Sequence, residues 1–249
     1  MIARRGFLAL GAAALLSGRV HAQNLTVPVM GFSALAPGAP LPGWLEPVTF
    51  GDKAKPTEFT LVMDEGRTAL RARANSAASG LARTLQVNPA DFPILAWRWK
   101  ALNLVARGGL ASKESDDFAL RLYVIFDLDP DLLSLADRVK ISLARALWGT
   151  RLPLAALCYV WDGRAPAGSI APNAYTDRVQ MVVADSGPAL LGRWVSHERD
   201  VADDFRRAFG LPAPAITSVI VSADTDNTGE NTEAYFGDIA FRRRSESGR

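Results

Sequence analysis

The sequence is poor in the residues on which metal and nucleophilic chemistry most often depends. Among its 249 residues there are one cysteine, Cys158, and two histidines, His21 and His197. These counts exclude an iron–sulfur or zinc site held by cysteines and a metal centre built on several histidines. A lone cysteine also excludes an intramolecular disulfide, and because Cys158 lies in an apolar run, we expect it to be a buried, inert thiol.

Signature motifs of several enzyme classes are missing as well. The sequence has no phosphate-binding Walker loop, no dinucleotide fingerprint and no G-x-S-x-G elbow, which disfavours nucleotide binding and the serine-hydrolase classes. After the amino-terminal segment, no apolar run reaches the roughly twenty residues that a membrane-spanning helix needs. Ser196 and His197 would point to opposite faces of a strand, so they form no triad, and we expect an exposed strand histidine.

The amino terminus does carry an apolar run, and its pattern is typical of an export signal. Arg4 and Arg5 precede the apolar residues 7–16, and a small-residue cleavage pattern ends at Ala22, so we expect residues 1–22 to be a signal peptide that is removed. The run is too short to span a membrane. The arginine pair and the residues after it resemble a twin-arginine signal, with the general secretory route as the alternative. We expect the mature protein in the periplasm or outside the cell.

Removal of this segment changes the charge balance. The segment holds three of the 28 basic residues and none of the 26 acidic residues, so the net charge of +2 becomes −1. A mature chain so close to neutrality gives no compositional support to a nucleic-acid partner.

An alternation of period two runs through the mature chain and predicts β-strands. In residues 118–126 every second side chain is apolar, while Arg121 and Tyr123 take the other face; in residues 95–101 the alternation places Trp97 and Trp99 in the core. Further strands are predicted at 58–63, 70–74, 80–86, 156–161, 178–183, 193–199, 216–223 and 234–243. We therefore expect an all-β fold, an antiparallel two-sheet β-sandwich of jelly-roll type, with residues 23–249 as its single domain.

Two helices are predicted to interrupt the strands. The first covers residues 131–147, where Asp129 and Pro130 supply an N-cap and a first-turn proline, and where apolar residues recur with a helical period. The second is a short helix over residues 201–209 that ends at Gly210, because glycine readily takes the left-handed conformation that closes a helix.

Five motifs stand at intervals along the mature chain. They are residues 159–162, 172–178, 198–201, 224–230 and 235–239, which read YVWD, PNAYTDR, ERDV, DTDNTGE and YFGDI. Together they resemble a family of exported bacterial proteins known only as a domain of unknown function, DUF3047. The resemblance covers nearly the whole mature chain and implies no established activity.

The layout is also similar to carbohydrate-binding jelly rolls of the galactose-binding type. Gly43-Trp44 matches the start of such modules, and Phe236-Gly237-Asp238-Ile239 matches their last strand. The segment Phe32-Ser33-Ala34 lacks the acidic pair found there in those modules. The resemblance therefore does not by itself imply the structural calcium that such modules hold between their first and last strands.

The segment 224–230 is the strongest candidate for a metal site. It places oxygen ligands at positions one, three and five and glycine at position six, as in the first half of a calcium loop. The twelfth position is Tyr235 instead of glutamate, so the segment is not an EF-hand. The predicted Ca²⁺ ligands are Asp224, Asp226, Thr228 and, if the fold brings it close, Asp238. The alternative is a polar turn whose side chains bond to its own backbone.

A second set of residues could bind a sugar. Trp161 and Tyr175 stand near strand ends, where aromatic rings can stack on a sugar, and Asn173 and Arg199 could donate hydrogen bonds to it. Arg199 lies in the acid-rich segment 198–204. That segment could supply the paired carboxylates of a glycosidase or, alternatively, a structural network between arginine and carboxylates.

These features favour an exported β-sandwich protein that binds a glycan or another component of the cell envelope and has no catalytic activity. One alternative is a glycan-active hydrolase or lyase that uses carboxylates such as Glu198, Asp200 or Asp224. Another is a structural or interaction protein of the envelope that has no small ligand.

Overall fold

The segments in which apolar and polar side chains alternate form two β-sheets that pack face to face. The structure is a computed structural model and describes residues 26–50, 54–132 and 154–244. In these ranges it has thirteen strands: β1 (Thr26–Met30), β2 (Glu46–Thr49), β3 (Glu58–Asp64), β4 (Arg67–Asn75), β5 (Ala78–Val87), β6 (Ile94–Ala101), β7 (Arg121–Phe126), β8 (Ala155–Asp162), β9 (Ile170–Asn173), β10 (Thr176–Ser186), β11 (Val195–Asp200), β12 (Ile216–Asp224) and β13 (Asn231–Arg242). The predicted all-β sandwich is confirmed.

The strands divide between a six-stranded sheet, here called sheet I, and a seven-stranded sheet, sheet II. Sheet I has the order β11-β6-β13-β4-β3, and β1 pairs with the last residues of β13. Sheet II has the order β2-β5-β12-β7-β8-β10-β9. Every pair in the described ranges is antiparallel except β8 with β10, so the expectation of purely antiparallel sheets needs this correction. The exception arises because β9 takes the outer edge of sheet II and pairs antiparallel with β10, which leaves β10 parallel to β8.

The hydrophobic core lies between the sheets and contains the side chains that the alternation placed there. Trp97 and Trp99 of β6 pack against it, as do Leu122 and Val124 of β7 and Phe236 of β13, all buried. Sheet II is also covered on its outer side. A second cluster of Phe118, Cys158, Val160, Met181 and Val183 lies there.

This outer cover explains two properties of sheet II. All eight residues of β8 are buried, so its apolar run is unbroken, as is typical of strands covered on both faces. Cys158 is fully buried, as expected, and the loss of solvent raises the pKa of its thiol to about 12. Arg121, expected on a solvated face, is 1% exposed.

One α-helix lies in the described ranges, α1 (Val201–Phe209), and it confirms the shorter predicted helix. The Asp200 carboxylate accepts a hydrogen bond from the Asp203 N–H at 3.0 Å, and Gly210 closes the helix with φ of 71°.

Of the predicted helix 131–147, only the start is described, as a single 3₁₀ turn at Pro130–Leu132. Its remainder and the predicted signal peptide 1–22 lie outside the described residues. No helix in the described part of the chain is long and apolar enough to cross a membrane.

His197 differs from the expectation of an exposed strand histidine. Its ring stacks on Trp97 with 4.7 Å between ring centroids, and its Nε2 lies 2.8 Å from the Asp185 Oδ2. The same carboxylate oxygen accepts a hydrogen bond from the Trp99 Nε1 at 2.6 Å. Asp185 stands at an irregularity in β10, so one carboxylate of sheet II holds two rings of sheet I.

Candidate functional site

Three connections meet beside β7 and bring together residues from distant parts of the sequence. They are the β6–β7 connection with Asp116 and Asp117, the β9–β10 turn with Asn173 and Tyr175, and the β12–β13 turn 224–230. We call these residues the loop cluster. Two of the predicted sugar-binding residues and three of the predicted metal ligands belong to it.

A buried ion pair holds the first and third connections together. The Arg121 guanidinium donates from Nε to the Asp224 Oδ1 at 2.9 Å and lies 2.7 Å from the Asp224 Oδ2 through Nη2. It also donates to the Asp116 Oδ1 at 3.3 Å and to the Asp116 carbonyl oxygen. The Phe118 N–H donates to the Asp224 Oδ1 at 3.0 Å. Arginine suits this position because its planar fork meets several acceptors at once.

Burial and the ion pair act on the charge of Asp224 in opposite directions. Burial raises the pKa of Asp224 to about 7, although the Arg121 guanidinium lowers it. Burial lowers the pKa of Arg121, but the surrounding groups, Asp224 first and then Tyr123, Asp116 and Cys158, together outweigh it and keep that pKa well above its ordinary value. The arginine therefore stays charged and needs its carboxylate partners inside the protein.

Backbone hydrogen bonds shape the β12–β13 turn around Asp117. The Asp117 carboxylate accepts from the Asn227 N–H at 3.3 Å and from the Thr228 N–H at 2.6 Å. The connection carrying Asp117 passes so close to Gly108 that a Cβ there would lie 2.3 Å from the Asp117 carbonyl oxygen. Only glycine permits this approach.

Glu230 fixes the far end of the same turn. Its carboxylate accepts from the backbone N–H groups of Ala106 and Arg107 at 2.8 and 3.0 Å. Partial burial raises the pKa of Glu230, but these hydrogen bonds outweigh it and hold that pKa below its usual range. The β12–β13 turn is thus tied to the β6–β7 connection at both ends.

Asn173 and Tyr175 join the cluster through side-chain hydrogen bonds. The Asn173 Nδ2 donates to the Asp116 Oδ2 at 3.0 Å, and its Oδ1 accepts from the Tyr175 N–H at 2.9 Å. The Tyr175 hydroxyl lies 3.2 Å from the Asn227 Oδ1, and the Lys113 Nζ lies 5.2 Å from the centre of its ring. Tyr175 remains 55% exposed. A solvent-accessible ring is therefore held next to amide and carboxylate groups.

The spacing of three carboxylates bears on the calcium prediction. Asp117, Asp224 and Asp226 each place an oxygen within 4.8 Å of the other two, in the described part of the chain. Burial and the neighbouring Asp117 raise the pKa of Asp226, as expected for acids that crowd one another. These hard oxygens fit Ca²⁺. Arg121 already pairs with Asp224, however, so an ion would have to share that carboxylate with a guanidinium.

The other two predicted metal ligands, Thr228 in the cluster and Asp238 outside it, already accept hydrogen bonds from other groups. The Thr228 Oγ1 accepts a hydrogen bond from the Glu230 N–H at 3.4 Å. Asp238 lies on β13 and accepts hydrogen bonds from the Ser33 N–H at 2.8 Å and from the Ser33 hydroxyl at 2.5 Å. In the cluster, Asp117 takes the place that the sequence assigned to Asp238.

Two predicted sugar-binding residues lie outside the cluster. Trp161 is 1% exposed, and its Nε1 donates to the Gly187 carbonyl oxygen at 3.0 Å, so its ring presents no surface to a ligand. Arg199 lies on β11 in sheet I. Its guanidinium donates to both Asp204 oxygens, at 2.9 and 2.5 Å, and the Tyr159 hydroxyl donates to the same carboxylate at 2.9 Å.

The acid-rich segment around Arg199 forms a network of ion pairs. An open depression of about 220 Å³ lies there, lined by Glu198, Arg199, Asp200, Asp203, Asp204 and Arg207. Glu198 pairs with Arg242, Asp200 with Arg244 and Asp203 with Arg206. This arrangement supports the structural alternative for the segment, because each of its carboxylates already has a cationic partner.

Sequence reasoning missed Asp116, Asp117 and Arg121. The available signal was a pair of adjacent acids just before a strand whose polar face carries an arginine. The alternation assigned Arg121 to a solvated face, and nothing local shows that a connection from elsewhere covers it.

Comparisons with known proteins add a family and no activity. A family described as "Protein of unknown function (DUF3047)" matches residues 42–240, whereas no curated protein matches the chain. The glycoside hydrolase domain of Endo-D from Streptococcus pneumoniae R6 is similar over 81% of this chain and 22% of that chain, with 11% identity and a TM-score of 0.33. Tomato aspermy virus is similar over 84% and 91% of the two chains, with 13% identity and a TM-score of 0.17.

Replacement of Arg121 tests whether the ion pair holds the loop cluster together. Arg121→Met leaves the Asp116 and Asp224 carboxylates buried without a cation, so we expect the free energy of unfolding to fall by about 3–5 kcal/mol. Urea denaturation monitored by tryptophan fluorescence measures the change. Arg193→Met, at an exposed arginine, is the matched control and should change stability by at most about 0.5 kcal/mol. Equal effects of the two substitutions would contradict the assignment.

Proposed function

The chain belongs to the DUF3047 family, and we propose that it is an exported β-sandwich protein that binds a glycan or another component of the cell envelope at the loop cluster, without catalysis. The exposed Tyr175 ring, with amide and carboxylate groups beside it, carries this proposal. Aromatic rings stack on the apolar faces of sugars, while amides and carboxylates exchange hydrogen bonds with their hydroxyl groups.

The hydrogen bonds that hold the carboxylates favour binding of a sugar over its cleavage by a hydrolase or lyase mechanism. A glycosidase needs two carboxylates that face each other across the sugar and are free to exchange protons. In the cluster, Asp224 is held by Arg121 and Asp117 by backbone N–H groups. The pKa of about 7 at Asp224 lies in the range of an acid catalyst. The experiment on ligands therefore also measures product release.

Glycan binding is tested with the mature protein, residues 23–249, on a glycan array and then in solution. We expect Tyr175→Ala to weaken the binding of an array ligand about tenfold, because the stacking surface is lost. Tyr175→Phe keeps the ring and should retain most of the affinity. Binding without release of reducing ends supports the proposal. Release of reducing ends would instead establish the enzyme alternative, and the absence of any glycan ligand would favour the interaction protein.

A structural calcium ion at Asp117, Asp224 and Asp226 is a separate part of the proposal. We expect added calcium to raise the Tm of EDTA-treated protein and Asp226→Asn to abolish the rise, whereas Asp177→Asn at another exposed carboxylate should not. Because burial raises the pKa of Asp224 to about 7, protons compete with the ion. The rise should then be larger at about pH 8 than at about pH 6. An unchanged Tm would rule the ion out.

The proposal that the protein is exported depends on the sequence pattern of residues 1–22 alone. We expect protein recovered from the periplasm to begin at Gln23, because cleavage follows the small-residue pattern that ends at Ala22. Replacing both Arg4 and Arg5 with lysine should block export through the twin-arginine route. Export that persists in this variant would establish the general secretory route, and uncleaved protein in the cytoplasm of the wild type would contradict the signal peptide.

A further inference from the structure

The outer face of sheet I, which points away from the core, carries an aromatic and cationic surface distinct from the loop cluster. One row of this face is defined by strand register. Thr60 of β3 pairs with Arg71 of β4, Arg71 with Tyr235 of β13, and Tyr235 with Lys100 of β6. Residues paired in this way project from the same side of a sheet. Trp194, just before β11, lies next to this row. We call these five residues the sheet I face.

Contacts across the face show that it is concave. The Lys100 Nζ donates to the Asp64 Oδ2, and the Trp194 Nε1 donates to the same oxygen at 2.7 Å. β13 and β4 lie between the strands of Lys100 and Asp64, which in a flat sheet would be about 14 Å apart. The end of the β3–β4 hairpin must therefore curve over the face, which forms a trough.

Aromatic rings and cations line this trough. The Trp194 and Tyr235 rings lie 6.4 Å apart at 67°. The Arg98 guanidinium lies 4.3 Å from the Trp194 ring centre, and the Lys100 Nζ lies 4.9 Å from that of Tyr235. Gly237 permits this layer, because a Cβ there would lie 2.5 Å from the Arg98 Cγ.

Two arginines on the outer side of sheet I, Arg71 and Arg98, lack an acidic partner among the described residues. Arg73 pairs with Glu233 at 2.6 Å and Lys100 with Asp64, whereas neither Arg71 nor Arg98 has a carboxylate within ion-pair distance among the described residues. The Nε of Arg71 and the Oγ1 of Thr60 are buried and have no hydrogen-bond partner in those residues. These two atoms lie out of reach of an external ligand, so an anion can meet Arg71 only through its terminal NH2 groups.

We propose that the sheet I face binds an acidic oligosaccharide whose sugar rings carry carboxylates. The rings of the sugar contact Trp194 and Tyr235, and its carboxylates pair with Arg71 and Arg98 in the two-pronged geometry that guanidinium offers. Asp64 and Glu233 already accept hydrogen bonds from side chains of the protein, so Arg71 and Arg98 are the cations left for the ligand. The trough suits an extended chain.

Oligogalacturonate serves as the probe, and its fully methyl-esterified form is the matched neutral control. Titration calorimetry of the mature protein should give binding of the acid and at least about tenfold weaker binding of the ester, because the ester lacks the charge that meets the arginines. Arg71→Ala should weaken binding of the acid by about tenfold or more, and Trp194→Ala should weaken binding of both forms. Alginate oligosaccharides serve as a second acidic probe.

Two control variants separate this surface from others. Arg83→Ala removes an arginine that lies over Trp44, at 5.0 Å, on sheet II, and should leave binding unchanged. Asp177→Asn, beside the loop cluster, should also leave it unchanged, and the Tyr175→Ala comparison on the glycan array tests the loop cluster separately. If Trp194→Ala does not fold, Trp194→Phe and Arg71→Ala still decide the matter. Failure of both acidic probes to bind, equal affinity for acid and ester, or an Arg71→Ala variant with unchanged affinity would each overturn the proposal.

Discussion

The buried charge of Arg121 is the constraint on which the loop cluster depends. A guanidinium that is 1% exposed must find carboxylates inside the protein, because an unpaired buried charge is far costlier than a paired one. Asp224 and Asp116 meet this demand. Asp116 then accepts from Asn173, whose Oδ1 in turn accepts from the Tyr175 N–H. The position of the exposed tyrosine therefore follows, through successive hydrogen bonds, from one residue on β7.

The same use of carboxylates recurs between and beside the sheets. Asp185 of sheet II accepts hydrogen bonds from Trp99 and contacts His197 of sheet I, and Asp204 of α1 accepts from Tyr159 and Arg199. In each place a buried acid satisfies two polar groups from other strands. Acids held in this way position their neighbours.

The two proposed binding surfaces differ in their chemistry. The loop cluster is rich in amides and carboxylates around Tyr175 and lies beside sheet II. On the sheet I face Arg71, and beside it Arg98, have no carboxylate partner among the described residues, and the Trp194 and Tyr235 rings lie next to them. The first suits hydroxyl groups, and the second suits carboxylates.

The sequence by itself determined ten of the thirteen described strands, all but β1, β2 and β9. It also determined the α1 helix with its caps and most of the core, because alternation and capping are local consequences of backbone geometry. The sequence also predicted the turn 224–230, together with Asn173 and Tyr175, as candidate site residues, and the fold brings them together. Only the tertiary structure decided that Trp161 is buried, that Arg199 belongs to an ion-pair network and that Asp117, not Asp238, stands beside Asp224. Strand order decides which loops meet, and it is set by the packing of the whole core. A local pattern shows which face of a strand is polar, but not whether a distant connection will cover that face.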